Sequence, residues 1–226
     1  MIYACILTLH FIIVQCKRTP TLLKISSYSK RKTRLQALYS LAYIQCFDQQ
    51  VTIFPNGKTT GRMMANAAHS RIWGAEAALR YHWNKGAWQG VLNASYGFTD
   101  ARFITFNDGM GDYSGNVIPY APQHTAHLLC EVDYRVGHKW LERIGITLKG
   151  DGVGRIYWNE QNDCWQPFYG LLGATLTVEW QYVKLQLWGR NLTDTKYDVF
   201  YFRSMGNDFL QHGKPRELGA TIVLDI

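Results

Sequence analysis

Two stretches near the end of the chain, Tyr182-Val-Lys-Leu-Gln-Leu-Trp-Gly-Arg190 and Glu217-Leu-Gly-Ala-Thr-Ile-Val-Leu-Asp-Ile226, decide how the rest is read. In the first, Val183, Leu185 and Leu187 share one face, with Lys184, Gln186 and Arg190 on the other. In the second, Leu218, Ala220, Ile222, Leu224 and Ile226 oppose Glu217, Thr221 and Asp225. A period of two predicts β-strands whose two faces meet different surroundings. Between them lie Asn191-Leu-Thr-Asp-Thr-Lys-Tyr197 and Gly213-Lys-Pro-Arg-Glu-Leu-Gly219, both built from turn-forming residues.

The same alternation runs upstream. Leu128, Cys130, Val132 and Tyr134 oppose His127, Glu131, Asp133 and Arg135, and Ala75, Ala77, Leu79 and Tyr81 oppose Gly74, Glu76, Ala78 and Arg80. Eight strands are predicted, roughly at 36–54, 63–83, 88–106, 118–136, 140–157, 168–181, 182–201 and 215–226. Connections at 84–86, 137–139 and 181–182 are short, whereas those near 55–62, 107–117, 158–167 and 202–214 are long and polar. Short and long alternate, so all long loops lie at one end of an antiparallel up-and-down meander. That is the plan of an outer-membrane barrel.

Aromatic placement agrees with it. Trp83 and Trp88, Tyr134 and Trp140, and Trp180 and Tyr182 flank the three short turns. Phe103, Phe106, Tyr120, Tyr157, Trp158, Phe168, Tyr169, Tyr197, Phe200 and Tyr201 gather at the other end. These are the two expected girdles. Glu76, Arg80, Glu131, Asp133, Arg135, Lys184 and Arg190 then need a wet interior, because unpaired ions do not sit in a dry core.

Composition excludes several classes. The formal charge of +7 comes from Lys17, Arg18, Lys24, Lys30, Arg31, Lys32 and Arg34; removing these seven from 24 bases leaves 17 against 17 acids. The folded part therefore lacks a nucleic-acid footprint. Cys5, Cys16, Cys46, Cys130 and Cys164 show no metal or redox spacing, so no metal site and no cofactor is expected. No nucleophile motif or phosphate loop is present, which argues against an enzyme. No apolar run reaches the length of a membrane-spanning helix.

The final segments resemble the C-terminus of TonB-dependent outer-membrane receptors, through N-L-x-D-x-x-Y at 191–197 and G-[KR]-P-R-x-x-G at 213–219. Gly115-Asn-Val-Ile-Pro-Tyr-Ala-Pro-Gln-His-Thr125 and Arg71-Ile-Trp-Gly-Ala-Glu76 are similar to further stretches of that family. The resemblance covers about 36–226 and implies the last eight strands of a 22-stranded barrel, an open curved sheet if isolated. The plug, the TonB box and the other strands have no counterpart here, and Ile226 stands where many such barrels carry an aromatic used in assembly. Residues 1–35 form an atypical basic and apolar leader, expected to lie outside the barrel. It reads as a secretion signal or as a non-native start.

What the resemblance implies about function is uptake of a scarce solute, foremost an iron siderophore. Its partners would be the TonB complex acting through the plug, outer-membrane lipid, the barrel-assembly machinery and the ligand. Candidate ligand contacts are Tyr113, Tyr157, Trp158, Asn159, Glu160, Asn162, Trp165, Phe209 and His212, all on long loops. Aromatics with amides and a carboxylate suit a siderophore or a stacked sugar. His212 or His124 as a haem ligand stays open. So do two other architectures: a complete eight-stranded barrel in which 36–54 pairs with 215–226, and a soluble ligand-binding barrel with its apolar face inside.

Overall fold

The computed structural model describes residues 16–18, 22–30, 33–54, 63–138, 140–204 and 207–224, and all of its elements are strands. They are β1 Cys16–Arg18, β2 Leu22–Lys30, β3 Thr33–Ile53, β4 Met63–Lys85, β5 Trp88–Thr105, β6 His124–Arg135 and β7 Arg143–Val153. After these come β8 Ile156–Tyr157, β9 Trp165–Gln166, β10 Tyr169–Trp180, β11 Val183–Arg190, β12 Asp198–Ser204, β13 Asn207–His212 and β14 Glu217–Leu224.

Eight of them, β3-β4-β5-β6-β7-β10-β11-β14, form one antiparallel meander in the predicted order. The pairs β8–β9 and β12–β13 are small hairpins inside two of the long connections. On the far side of β3, β1 pairs at Ile44–Cys46 and β2 at Thr33–Leu41. The leader boundary expected at residue 35 thus falls inside β3, and Leu22–Lys30 is paired in the sheet. Among the described residues β14 pairs with β11 and nothing pairs β14 with β3, so the sheet is open. The eight-stranded closure of 36–54 on 215–226 is not formed.

Three predicted strands are shorter than read. β6 starts at His124 rather than near 118, because Pro119 and Pro122 have no N–H to give to a ladder. β11 stops at Arg190 instead of running to 201, because Asn191 and Asp194 take positive φ and turn the chain. β7 starts at Arg143, which widens the second short turn to 136–142.

The register puts like with like in rows across the sheet. One row reads Trp83, Gly90, Val132, Ile146, Leu176, Leu187 and Ala220; the next reads Tyr81, Leu92, Cys130, Leu148, Ala174, Gly189 and Leu218. The opposite face carries Arg80, Asn93, Leu129 and Lys149 in one row and Asn84, Gln89, Asp133, Gly145, Thr177 and Gln186 in another. On that face Arg143 bridges Asp133 at 3.3 Å and Glu179 at 2.5 Å, and Lys184 meets Glu179 at 3.1 Å. The ions are paired with one another, as a polar interior requires.

The apolar face has no second layer over it. Leu128, Ile146, Leu148, Leu187 and Ile222 are all exposed, and Leu218 reaches 71%. The total accessible surface is 16092 Å², against about 10,500 Å² for a compact monomer of this mass. An apolar face of this extent needs lipid rather than water, and a soluble barrel with the apolar side sealed inside is not what forms. From Trp88 and Tyr134, in ring contact at 4.7 Å near the short turns, the band runs to Trp73 and Phe98, in contact at 5.0 Å. The Trp73 indole donates to Asp100 at 3.1 Å, the bond expected of a ring at a membrane–water boundary. Trp83 and Trp73 are about ten residues apart, which at a tilt of about 40° spans about 25 Å.

Burial is concentrated at the long-loop end. Val51, Ala68, Phe103 and Phe106 form the core there, with Ile53, Tyr113 and Ile118 packed against it. Phe103, Phe106, Trp158 and Tyr201 are buried in loop packing. They are not the exposed outer girdle that the sequence predicts; loop closure removes them from the surface.

Candidate functional site

The long connections are tied to one another by their backbones. Phe54 N donates to Asp108 O at 2.7 Å, Tyr120 N to Tyr157 O at 2.8 Å, and Gly154 N to His124 O at 2.7 Å. The Tyr120 hydroxyl donates to Tyr201 O at 2.7 Å, linking the loop after β5 to that after β11. Between these segments lies a cleft of about 420 Å³.

Its walls come from Phe54 at the end of β3 and from three long connections: Asp108 and Tyr120 from that after β5, Trp158 to Gln161 and Asp163 from that after β7, and Tyr201 to Arg203 from that after β11. Asp108 is buried at a tight tip, Asn107-Asp-Gly-Met-Gly111, where Oδ1 accepts from Met110 N and Gly111 N, both at 2.8 Å. Gly109 holds φ +91 in that tip, and a Cβ there would come within 2.3 Å of Phe54 O, so only glycine lets the two loops meet. Trp158 is 5% exposed and packs edge-on to Tyr120 at 5.5 Å. Burial, then the Glu160 charge and Cys164, raise the Tyr120 phenol above its ordinary range. Across the cleft, Asp208 Oδ1 accepts from Arg203 Nε at 2.7 Å and from the Tyr201 hydroxyl at 2.9 Å. The Arg203 bond, then the Tyr201 bond, hold the Asp208 carboxyl below the usual range. Burial, then the bond to Asp208, push the Tyr201 phenol up to about 12.

Of the nine residues singled out from sequence, three line this cleft: Trp158, Asn159 and Glu160. Asn162 is a scaffold residue. At φ +58 its Oδ1 accepts from Val117 N at 2.7 Å, while Nδ2 donates to Val117 O at 2.9 Å and Asn159 O at 3.0 Å. Tyr113 lies behind the wall, where its hydroxyl accepts from Gln161 at 3.0 Å and its ring meets Phe106 at 5.8 Å. Tyr157 and Trp165 form a separate pair on the β8–β9 hairpin with Arg155 over both rings. Phe209 stacks on Phe202 at 4.8 Å.

His212 borders another hollow, about 560 Å³, with Gln166, Asp194 and Asp198 around it. Its Nδ1 lies 2.7 Å from Asp198, and His124 Nδ1 lies 2.7 Å from the Tyr96 hydroxyl. Each of the two histidines considered for haem is engaged by a neighbour. Asp108, Tyr120, Tyr201 and Arg203 were not singled out as ligand contacts. Nothing in their spacing joins them, since tertiary contact alone brings residues from separate loops together.

The two end motifs are bonded to each other at the base of the last long connection. Asn191 Nδ2 donates to Thr195 O and Lys214 O, both at 3.0 Å, and its Oδ1 accepts from Thr195 N at 2.9 Å. Asp194 accepts from Arg216 N at 3.0 Å. Tyr197 stacks on Tyr169 at 4.5 Å, and Gly213 lies against the Tyr197 ring so closely that a Cβ would come within 2.1 Å of it.

A one-layer antiparallel sheet with a lipid-facing side, an ion-paired side and all long loops at one end defines a transmembrane β-barrel segment. The chain belongs to the TonB dependent receptor-like, beta-barrel family, whose match spans residues 28–192. Proteins of this family reside in the bacterial outer membrane and are transporters rather than enzymes. The fold is also that of solved receptors. It superimposes on the ferric yersiniabactin uptake receptor FyuA of Yersinia pestis with TM-score 0.64 at 21% identity, over 91% of this chain and 29% of that one. The siderophore receptor PiuA of Acinetobacter baumannii gives 0.63 at 19% identity, over 90% and 28%. The ferric citrate transporter FecA gives 0.63 at 21%, over 89% and 31%. The chain therefore spans less than a third of the length of these structures.

Proposed function

We propose that residues 36–226 are the C-terminal barrel portion of a receptor that takes up a ferric siderophore, and that the loop cleft contributes to its ligand site. The observation that carries this reading is the convergence of three long connections and the end of β3 on one cleft with aromatic, amide and carboxylate walls. The solved structures of the same fold are a ferric yersiniabactin uptake receptor, a siderophore receptor and a ferric citrate transporter. In this reading further strands complete the two free edges of the sheet, the barrel-assembly machinery inserts the whole into outer-membrane lipid, and the TonB complex drives uptake through a plug. Gating and energy coupling belong, in this reading, to the plug.

Titration of the chain in detergent micelles with ferric hydroxamate, ferric catecholate, ferric citrate, haem and cobalamin tests this by quenching of tryptophan emission. Saturable quenching by a ferric chelate, weakened by Glu160→Gln or Asn159→Ala, is expected. Saturation by haem or cobalamin alone would replace the ligand class. Quenching indifferent to the cleft variants would remove the cleft from the site.

A further inference from the structure

On the lipid-facing side two arginines stand together just beyond the Trp73 end of the apolar band. Arg71 and Arg102 are direct partners in the β4–β5 ladder, two residues past the Trp73–Asp100 pair and on its face. That sets them about 5 Å above the indole, in the headgroup layer that flanks the hydrocarbon. Like charges directly opposite one another destabilise a sheet, and an anion between them offsets the cost. Asp100 serves only one of the two. Its Oδ1 accepts from Arg102 Nε at 2.8 Å and its Oδ2 from the Trp73 indole at 3.1 Å. Arg102 also donates through Nη1 to Gly115 O at 3.2 Å, which leaves Nη2 among the described residues. Arg71 is exposed, and among the described residues it makes no hydrogen bond and no ion pair. Away from Arg102 the same row of the ladder runs on to Gln45 and then Lys17, without an acid.

We propose that Arg71 and Arg102 bind the phosphate monoester of an outer-leaflet lipid headgroup, whose acyl chains lie along the Trp73 and Phe98 rings below. Such a phosphate brings three acceptor oxygens, and guanidinium forks match that geometry: the Arg71 fork takes one side and Arg102 Nη2 the other. The site shares no residue with the loop cleft, so it stands whether or not the cleft binds a chelate. Each basic side chain at a bilayer surface is worth about fivefold in affinity for an anionic lipid, and the attraction weakens as salt screens it.

The test immobilises the full chain in a neutral detergent and adds mixed micelles carrying lipid A, a glucosamine lipid with two phosphate monoesters. Lipid retained after washing is measured by its phosphorus. Saturable retention of lipid A is expected, with phosphatidylcholine not retained and phosphatidylglycerol, a diester, retained more weakly. Arg71→Gln should raise the apparent dissociation constant about fivefold, and Arg71→Gln with Arg102→Gln about 25-fold. Arg71→Lys, which keeps the charge without the fork, should fall between wild type and Arg71→Gln. Arg71 has no partner to lose, so its variants leave the sheet intact. Arg80→Gln, on the opposite face of β4, should change nothing. Undiminished retention by Arg71→Gln, or an equal loss in Arg80→Gln, would overturn the site. Phosphatidylglycerol held as tightly as lipid A would overturn the monoester and leave general attraction of anionic lipid. Displacement of lipid A by inorganic phosphate at the same concentration would overturn the lipid as occupant.

Discussion

Replacing Asn191 by alanine tests whether the end motifs act as a structural clamp. The Asn191 side chain is buried and makes three hydrogen bonds of 2.9 to 3.0 Å, two with the Thr195 backbone and one to Lys214 O, which joins the start of the last long connection to its end. At about 0.5 to 1.5 kcal/mol net per bond, their loss costs about 1.5 to 4.5 kcal/mol. Alanine adds about 1 kcal/mol more, because residue 191 holds φ +47, which asparagine tolerates and alanine resists. Asn191→Gly restores the backbone freedom without the bonds, so it should recover only that smaller part. Asn191→Asp keeps the acceptor for Thr195 N–H but turns a carboxylate toward two carbonyl oxygens, and should be no better than alanine. Urea unfolding of the chain in lipid vesicles, followed by tryptophan emission, reads all three. A loss under about 0.5 kcal/mol for alanine, or full recovery by glycine, would refute the clamp and leave a backbone effect alone.

Leu128 and His127 are adjacent but face opposite ways, so Leu128→Arg should cost about 2 to 4 kcal/mol in bilayers and His127→Arg under about 1; similar costs would mean that the faces are assigned wrongly. Gly213→Ala should lose about 1 to 3 kcal/mol by pushing Tyr197 off Tyr169, visible as a loss of near-ultraviolet circular dichroism. The carboxyl of Asp208 is depressed in the folded hairpin, so its contribution is complete above the ordinary value of 3.8 and is lost as pH falls through its lower folded value. Pepsin cleavage at Phe202 or Phe209 should accordingly accelerate only in strong acid, and Asp208→Asn should remove that pH dependence. Acceleration that persists unchanged in Asp208→Asn at the same pH would refute the assignment to Asp208.

The motif residues were legible in sequence as a pattern, and the structure supplies their purpose. Asn191, Asp194, Tyr197 and Gly213 serve one another, which is why two weak turn signatures mean more together than apart. The aromatic girdle was legible near the short turns, where Trp88, Trp140 and Tyr182 remain exposed. At the other end the count of aromatics misled. Phe103 and Phe106 look the same in sequence as Phe168, yet loop closure buries the first two and leaves the third at the surface.

By itself the sequence determined the eight strands of the meander, their order, the face their residues take and the end at which the long loops gather. These follow from period-two alternation and from turn residues, which act over a few neighbours along the chain. Only the tertiary structure decided which loop residues meet. Asp108, Glu160 and Arg203 lie on three separate connections, and Asn162, chemically indistinguishable from Asn159 in a sequence, spends its amide on Val117 instead of facing the cleft. Contacts between loops depend on how the rigid sheet spaces their anchor points, and no local pattern encodes that distance.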